Sequence, residues 1–198
     1  MQPITDLSIV LASQSPRRVE LLRQLVSDFA IVSSFATELE DMSQGPRRLC
    51  ELNAQRKAIA VAERHPTHLV LGADTLVFLD GQLLGKPADP EMARGFLGRL
   101  SGRVHEVVTG VCLVQLSTNR MQLFSEVTHV KFHAVTQTDI DEYLKRVHVL
   151  DKAGGYAIQE EGHRLVERIE GSKSNVIGLP LEALRRAFQQ WQESYPAV

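Results

Sequence analysis

Apolar positions in the chain repeat in two ways, and the alternation between them outlines the fold. Ile9, Val10 and Leu11 form an unbroken apolar run, so Ser8–Ala12 is predicted as a short buried strand. From Pro16 to Val26 the spacing becomes helical. Val19, Leu22 and Val26 share a face that Leu21 and Leu25 widen, with Ser15 at the N-cap and Pro16 at N1. FAIV (29–32) reads as a second strand, and residues 45–65 read as a long helix opening near Pro46. Residues 68–87 read as a strand, an interruption and a hairpin turning at Asp80-Gly81.

The second half continues the alternation. Asp89-Pro90 opens a helix whose stripe is Ala93, Phe96, Leu97 and Leu100. Residues 105–116 and 125–135 look like an antiparallel pair, with Thr128, Val130, Phe132 and Ala134 facing inward. Thr136 and Asp139 frame a helix start before the stripe Ile140, Tyr143, Leu144, Val147. Residues 163–171 give a strand and turn. Residues 178–191 close with a helix buried along Leu181, Leu184, Phe188 and Trp191. Interleaved helices and strands with hairpins in the middle predict an α/β fold, a mixed sheet flanked by helices.

Composition narrows the function classes. A chain of 198 residues, 43% hydrophobic and 23% charged, fits one soluble domain or two small lobes. A net charge of -2 and only 6% aromatic residues argue against a nucleic-acid binder, so any basic site must be local. No apolar run approaches the ~18–20 residues of a membrane span, and the start lacks the pattern of a signal peptide. Cys50 and Cys112 show no metal or redox spacing and read as buried free thiols, which favours a reducing, cytoplasmic setting. The seven histidines make no ligand pairing and read as structural or surface residues.

Chemistry concentrates in a few short stretches. SQSPRR places Ser13, Ser15, Arg17 and Arg18 at a strand-to-helix junction, where unpaired amides, hydroxyls and guanidinium forks suit a phosphate. A solvated arginine-bearing helix start is the alternative. Asp74, with Thr75 beside it, breaks an apolar pattern at what reads as a strand end; it is either a turn-capping residue or a carboxylate that holds a divalent ion. Lys57 ends the polar run NAQRK, and Lys86 lies in the turn LGKP; single lysines of this kind are usually surface groups. Glu38, Glu40 and Asp41 form an acidic loop. Gly154 and Gly155 precede Tyr156 and Gln159, either a packed glycine turn or a place where the Gln159 amide reads a base edge. No Walker-type phosphate loop or nucleophile elbow occurs.

These stretches recur together in one family. The chain resembles the Maf-like nucleoside triphosphate pyrophosphatases through LASQSPRR, GADT, LGKP, LSGR, DKAGGYAIQ and NVIGLP, in that order. The resemblance implies a Maf/ITPase-like fold: a mixed twisted sheet with flanking helices, two lobes around a central cleft, in one domain over 1–198. It also implies a cytoplasmic homodimer, with no nucleic-acid or membrane partner. The implied reaction cleaves a nucleoside triphosphate to the monophosphate and pyrophosphate with a divalent metal cation (Mg, Mn or Co). By position, Asp74 matches the catalytic carboxylate and metal contact, and Glu38 the second acidic metal position unless a small gap brings Glu40 there. Lys57 and Lys86 match the catalytic basic residues. Ser13, Arg17, Arg18, Thr75 and Gln159 match substrate-binding positions. Arg17, Thr75 and Gln159 together resemble the dTTP/UTP subtype, with CTP or modified pyrimidine nucleotides as further substrates, rather than the 7-methyl-GTP subtype. A non-catalytic nucleotide-binding regulator of septum formation is the alternative from another class.

Overall fold

The computed structural model describes residues 7–194, so both ends of the domain predicted over 1–198 lie outside that range. Strands β1 (Ile9–Leu11), β2 (Ala30–Ile31), β3 (Leu69–Leu79), β4 (Gln82–Leu84), β5 (Val104–Gln115), β6 (Arg120–Phe132) and β7 (Val166–Glu170) form one mixed sheet. Its order is β2-β1-β3-β5-β6-β7, with β4 paired to β3. β2, β1 and β3 run parallel; β3, β5, β6 and β7 are antiparallel neighbours. The helices are α1 (Pro16–Arg23), α2 (Gly45–Ala62), α3 (Pro90–Leu100), α4 (Gln137–Arg146), α5 (Lys173–Ile177) and α6 (Leu181–Glu193). The predicted α/β fold with a mixed sheet is the one observed.

Several local expectations change. The predicted interruption near Asp74 is absent: β3 runs unbroken for 11 residues, and Asp74 lies mid-strand opposite Gly110. A polar residue in an apolar run suggested a strand end, but tertiary pairing with β5 carries the strand through. The hairpin does turn at Asp80 and Gly81, both at positive φ. α1 stops at Arg23, short of Val26, and its Ser15 N-cap makes no side-chain bond. β6 begins at Arg120, because a 3-10 turn at Leu116–Thr118 folds the chain straight back on β5. It ends at Phe132, leaving Ala134 exposed beyond the strand. The short helix α5 was not anticipated. Thr136 and Asp139 form the capping box their spacing predicted.

The apolar cores sit on both faces of the sheet. Leu22 of α1 and Leu184, Phe188 and Trp191 of α6 cover Leu11, Leu71, Ala73 and Val111. Further along, Leu97 of α3 and Ile140 and Tyr143 of α4 cover Val77, Leu79, Val107 and Phe132. On the opposite face α2 lies almost on the backbone of the sheet. A Cβ on Gly72 would stand 2.8 Å from Ala58 N, and one on Gly110 2.5 Å from Glu51 N. Cys50, Asn53, Ala54, Lys57, Ala58 and Val61 recur at helical spacing along the contacting face, so this close approach presses two polar residues, Asn53 and Lys57, onto Asp74.

The glycine-rich stretch docks through a buried polar contact. Gly154 and Gly155 take φ of 73° and 71°, and Gly154 N–H donates to Gly85 O. Tyr156 then meets His105 at 2.8 Å between Oη and Nε2. His105 Nδ1 is buried without a partner, and the tautomer of the ring decides which of the two groups donates in this contact. Burial lowers the His105 pKa to about 4. That is below the ordinary ~6.5 of the unfolded chain, so unfolding takes up a proton at intermediate pH. The stabilising contribution is therefore complete above pH ~6.5 and is lost as the pH falls toward 4, by about 1.4 kcal/mol per pH unit at most. Urea unfolding at pH 7 and pH 5 should show this slope in the parent and a shallower one in His105→Gln.

Candidate active site

Asp74 is 3% exposed, and each carboxylate oxygen has a partner from α2. Lys57 Nζ donates to Oδ1 at 2.5 Å, and Asn53 Nδ2 donates to Oδ2 at 3.1 Å. Lys57 also donates to Glu38 Oε1 at 2.6 Å, so one ammonium bridges two carboxylates, and Lys86 Nζ stands 4.0 Å from the same Glu38 oxygen. Burial pushes the Glu38 carboxyl upward. The Lys57 ammonium, then Lys86, outweighs that and holds it below the ordinary carboxylate range. Glu38 is joined to Asp74 through Lys57, and Glu40 lies on the cavity wall.

On the other side of the strand, Arg18 is fixed by three donated bonds. Nε reaches Gly178 O at 2.9 Å, one terminal nitrogen reaches Ser13 Oγ at 3.3 Å, and the other reaches Thr75 Oγ1 at 3.1 Å. Burial lowers its pKa and Asp74 opposes that shift, but a guanidinium stays charged under such conditions. Of its five N–H donors, three are used, which leaves the rest of the fork for a ligand. Thr75 is held in turn by Thr109 at 3.0 Å, and Thr109 donates to Asn175 O. Asn175 is fully buried and donates to Val107 O and Thr128 Oγ1, tying α5 to the sheet. That anchor sets the Gly178 carbonyl against Arg18.

A cavity of about 430 Å³ opens between these groups. Arg17, Arg18, Glu38, Lys57, Asp74, Thr75, Lys86 and Gln159 all line it, so eight of the nine sequence-derived site residues converge. Ser13 is buried beneath Arg18 and is not part of the lining. Arg17 does not turn toward Arg18; it pairs with Asp151 across the rim at 3.2 Å. Gln159 is exposed on the wall beyond Tyr156.

Sequence reasoning missed Asn53, Thr109, Lys152 and Asn175. Asn53 was detectable, being a polar residue four before Lys57 within an apolar helical stripe. Lys152 is 7% exposed, lines the cavity and donates to His148 O at 2.5 Å and Asp151 Oδ1 at 2.9 Å. Its one signal is its place in the stretch DKAGGYAIQ; the apolar pattern around it does not set it apart from a surface lysine. Cys50 and Cys112 are buried free thiols as expected. Burial raises both pKa values, that of Cys112 to about 12, so neither acts as a thiolate nucleophile.

The geometry is a cavity of about 430 Å³ that brings Arg18, Lys57 and Lys86 together around a buried carboxylate, Asp74. Such a site can grip a polyphosphate by guanidinium and ammonium groups and present a base to an attacking water. Among the described residues no helix is long and apolar enough to cross a membrane.

Comparison with known proteins finds relatives along most of the chain. A dTTP/UTP pyrophosphatase of Akkermansia muciniphila is 47% identical over 91% of this chain and 94% of its own length. One from Clostridioides difficile is 41% identical over 90% and 92%. Among solved structures, the Staphylococcus aureus Ham1 protein superposes with a TM-score of 0.56 over 93% of this chain and 99% of that one, at 16% identity, which shows a shared fold. The family profile described as "Maf-like protein" matches residues 8–191. The chain belongs to the Maf family.

Proposed function

We propose that this chain hydrolyses dTTP and UTP to the monophosphate and pyrophosphate in the cavity between Asp74 and Arg18. The observation that carries the proposal is the convergence of Asp74, Lys57, Lys86 and Arg18 on one cavity, in a chain over 40% identical to pyrophosphatases of that specificity. The domain is read as two lobes, one core on each side of this cleft. Cleavage between the α- and β-phosphates needs a water aimed at the α-phosphorus and charge neutralised on the departing pyrophosphate.

Each residue has a role that follows from its surroundings. Arg18 is locked by Gly178, Ser13 and Thr75, so its remaining N–H groups are aimed before substrate arrives. Lys86 is largely exposed at the rim and free to close on the outer phosphates. Asp74 accepts the proton of the attacking water. Its two oxygens offer about four lone-pair sites, and Lys57 and Asn53 occupy only part of them. The proton then leaves to solvent through the open cavity. Arg17 exchanges Asp151 for phosphate, and the Gln159 amide meets the edge of the base.

The residues fit a divalent cation. Asp74 and Glu38 supply hard oxygen donors around one point already taken by a cation, the Lys57 ammonium. Among the described residues no group of three or more His, Cys, Asp or Glu side chains forms a full protein cage. Two carboxylates at one point suit an ion such as Mg²⁺, which takes one or two carboxylates and fills its shell with phosphate oxygens and water. Asp74 and Glu38 would hold it, and when bound it would supply charge neutralisation and a more acidic water.

The test is product analysis with dTTP or UTP and Mg²⁺, Mn²⁺ or Co²⁺. Pyrophosphate and monophosphate in equal amounts are expected; release of inorganic phosphate with a nucleoside diphosphate would overturn the reading. Gln159→Ala should change the ratio of dTTP to GTP turnover by about tenfold, more than it lowers the rate on dTTP. An unchanged ratio would remove Gln159 from base selection.

A further inference from the structure

The Asp74 carboxylate, and the backbone next to Glu38, are held in place by bonds that do not involve Lys57. Asp74 sits mid-strand in β3, paired to β5, and its Oδ2 accepts from Asn53. Glu38 precedes Leu39, whose N–H donates to Asn53 Oδ1 at 2.7 Å and whose carbonyl accepts from Asn53 Nδ2 at 3.1 Å. One buried amide therefore fixes the carriers of both carboxylates. Lys57, one turn further along α2, reaches between them on a flexible stem, with Nζ 2.5 Å from one and 2.6 Å from the other. Beside it is open cavity into which that stem can swing.

We infer that the Lys57 ammonium is an internal stand-in for the divalent cation, holding the Asp74–Glu38 pair in the nucleotide-free enzyme and leaving it for the triphosphate when a metal ion enters. The inference rests on the functional reading above only for the identity of the triphosphate. The argument is one of charge and space. A metal ion would sit about 2.1 Å from carboxylate oxygens that already face an ammonium at hydrogen-bonding distance. Two cations cannot share that point without strong repulsion. A bare ion would strip Lys57 of two charge-assisted bonds and return nothing to it. An ion arriving with a triphosphate brings the ammonium a new anion. The free enzyme thus resists the bare metal and accepts the metal–triphosphate complex. Asp74 does not have to reorganise, because Asn53 keeps its carboxylate in place, and the same amide keeps the backbone that carries Glu38 beside it.

The test measures Mn²⁺ binding to the nucleotide-free protein by the electron paramagnetic resonance of free Mn²⁺. Lys57→Gln should bind Mn²⁺ at least tenfold more tightly than the parent, and Lys57→Arg, which keeps the charge, should stay as weak as the parent. Equal or weaker binding in Lys57→Gln, or tight binding in Lys57→Arg, would overturn the inference. Should the glutamine variant not fold, the parent protein decides the matter by NMR. The Lys57 ε-methylene signal, assigned by its loss in Lys57→Arg, should move toward the position of a free lysine at a Mg²⁺ concentration that shifts the Asn53 side-chain amide. A stationary Lys57 signal there would overturn it. Neither readout involves turnover. A protein that releases no pyrophosphate yet shows the exchange keeps this inference and loses the functional reading; the opposite pair of results does the reverse.

Discussion

Asp74→Asn should lower pyrophosphate release from dTTP by at least about a thousandfold while leaving a folded protein. The substitution keeps the size of the side chain and the oxygen that accepts from Asn53 or Lys57, but it removes the base and one of the two carboxylates that Lys57 bridges. Lys57 retains Glu38 at 2.6 Å, so its ammonium is not left alone in the interior. The expected loss of stability is therefore about 1–2 kcal/mol rather than the larger penalty of an orphaned buried charge. Two measurements separate the effects: product release at saturating dTTP, and urea unfolding followed by circular dichroism. A variant within tenfold of the parent rate would place the base elsewhere in the cavity. A variant that no longer unfolds cooperatively would show that the Asp74–Lys57 pair holds the fold together.

How much of this was legible in the sequence depended on whether a residue's environment is local. The capping box of α4, the Asp80-Gly81 hairpin and the buried stripe of α6 are written within a few neighbouring positions, and all three are present. Asp74 stood out because it violates an apolar pattern, but its place in the strand was misread. A break in the pattern looks the same whether the strand ends or a helix packs across it. Here α2 crosses it, and the glycines that admit α2 lie 38 positions apart at 72 and 110 in strands that only tertiary pairing makes neighbours. The Arg17–Asp151 pair and the Asn175 network join residues more than 40 positions apart. Such partners leave no periodic trace in one chain. The family resemblance reached further than periodicity because it carries the order of the motifs, yet it gave no hint that Lys57 lies between the two acids.

Gly110→Ala should destabilise the fold by about 3 kcal/mol or more and lower activity together with stability. A methyl group at residue 110 would overlap the Cys50 carbonyl and stand 2.5 Å from Glu51 N, backbone atoms of a helix that cannot step aside alone. α2 would have to lift from the sheet. Gly110 faces it in register with Asp74, so the lift would draw Asn53 and Lys57 away from the carboxylate they hold. Binding and catalysis should weaken even under conditions where the variant stays folded. The contrast comes from α3, where Gly95 and Gly98 are exposed and a Cβ would meet nothing within 4 Å. Their replacement by alanine should be neutral or stabilising by about 0.5–1 kcal/mol, since glycine is a poor helix former. Urea unfolding of the three variants, with pyrophosphate release measured on each, tests the argument. Parent-like stability in Gly110→Ala would mean that α2 has slack against the sheet. The grip of Asn53 and Lys57 on Asp74 would then need another explanation than the closeness of helix and strand.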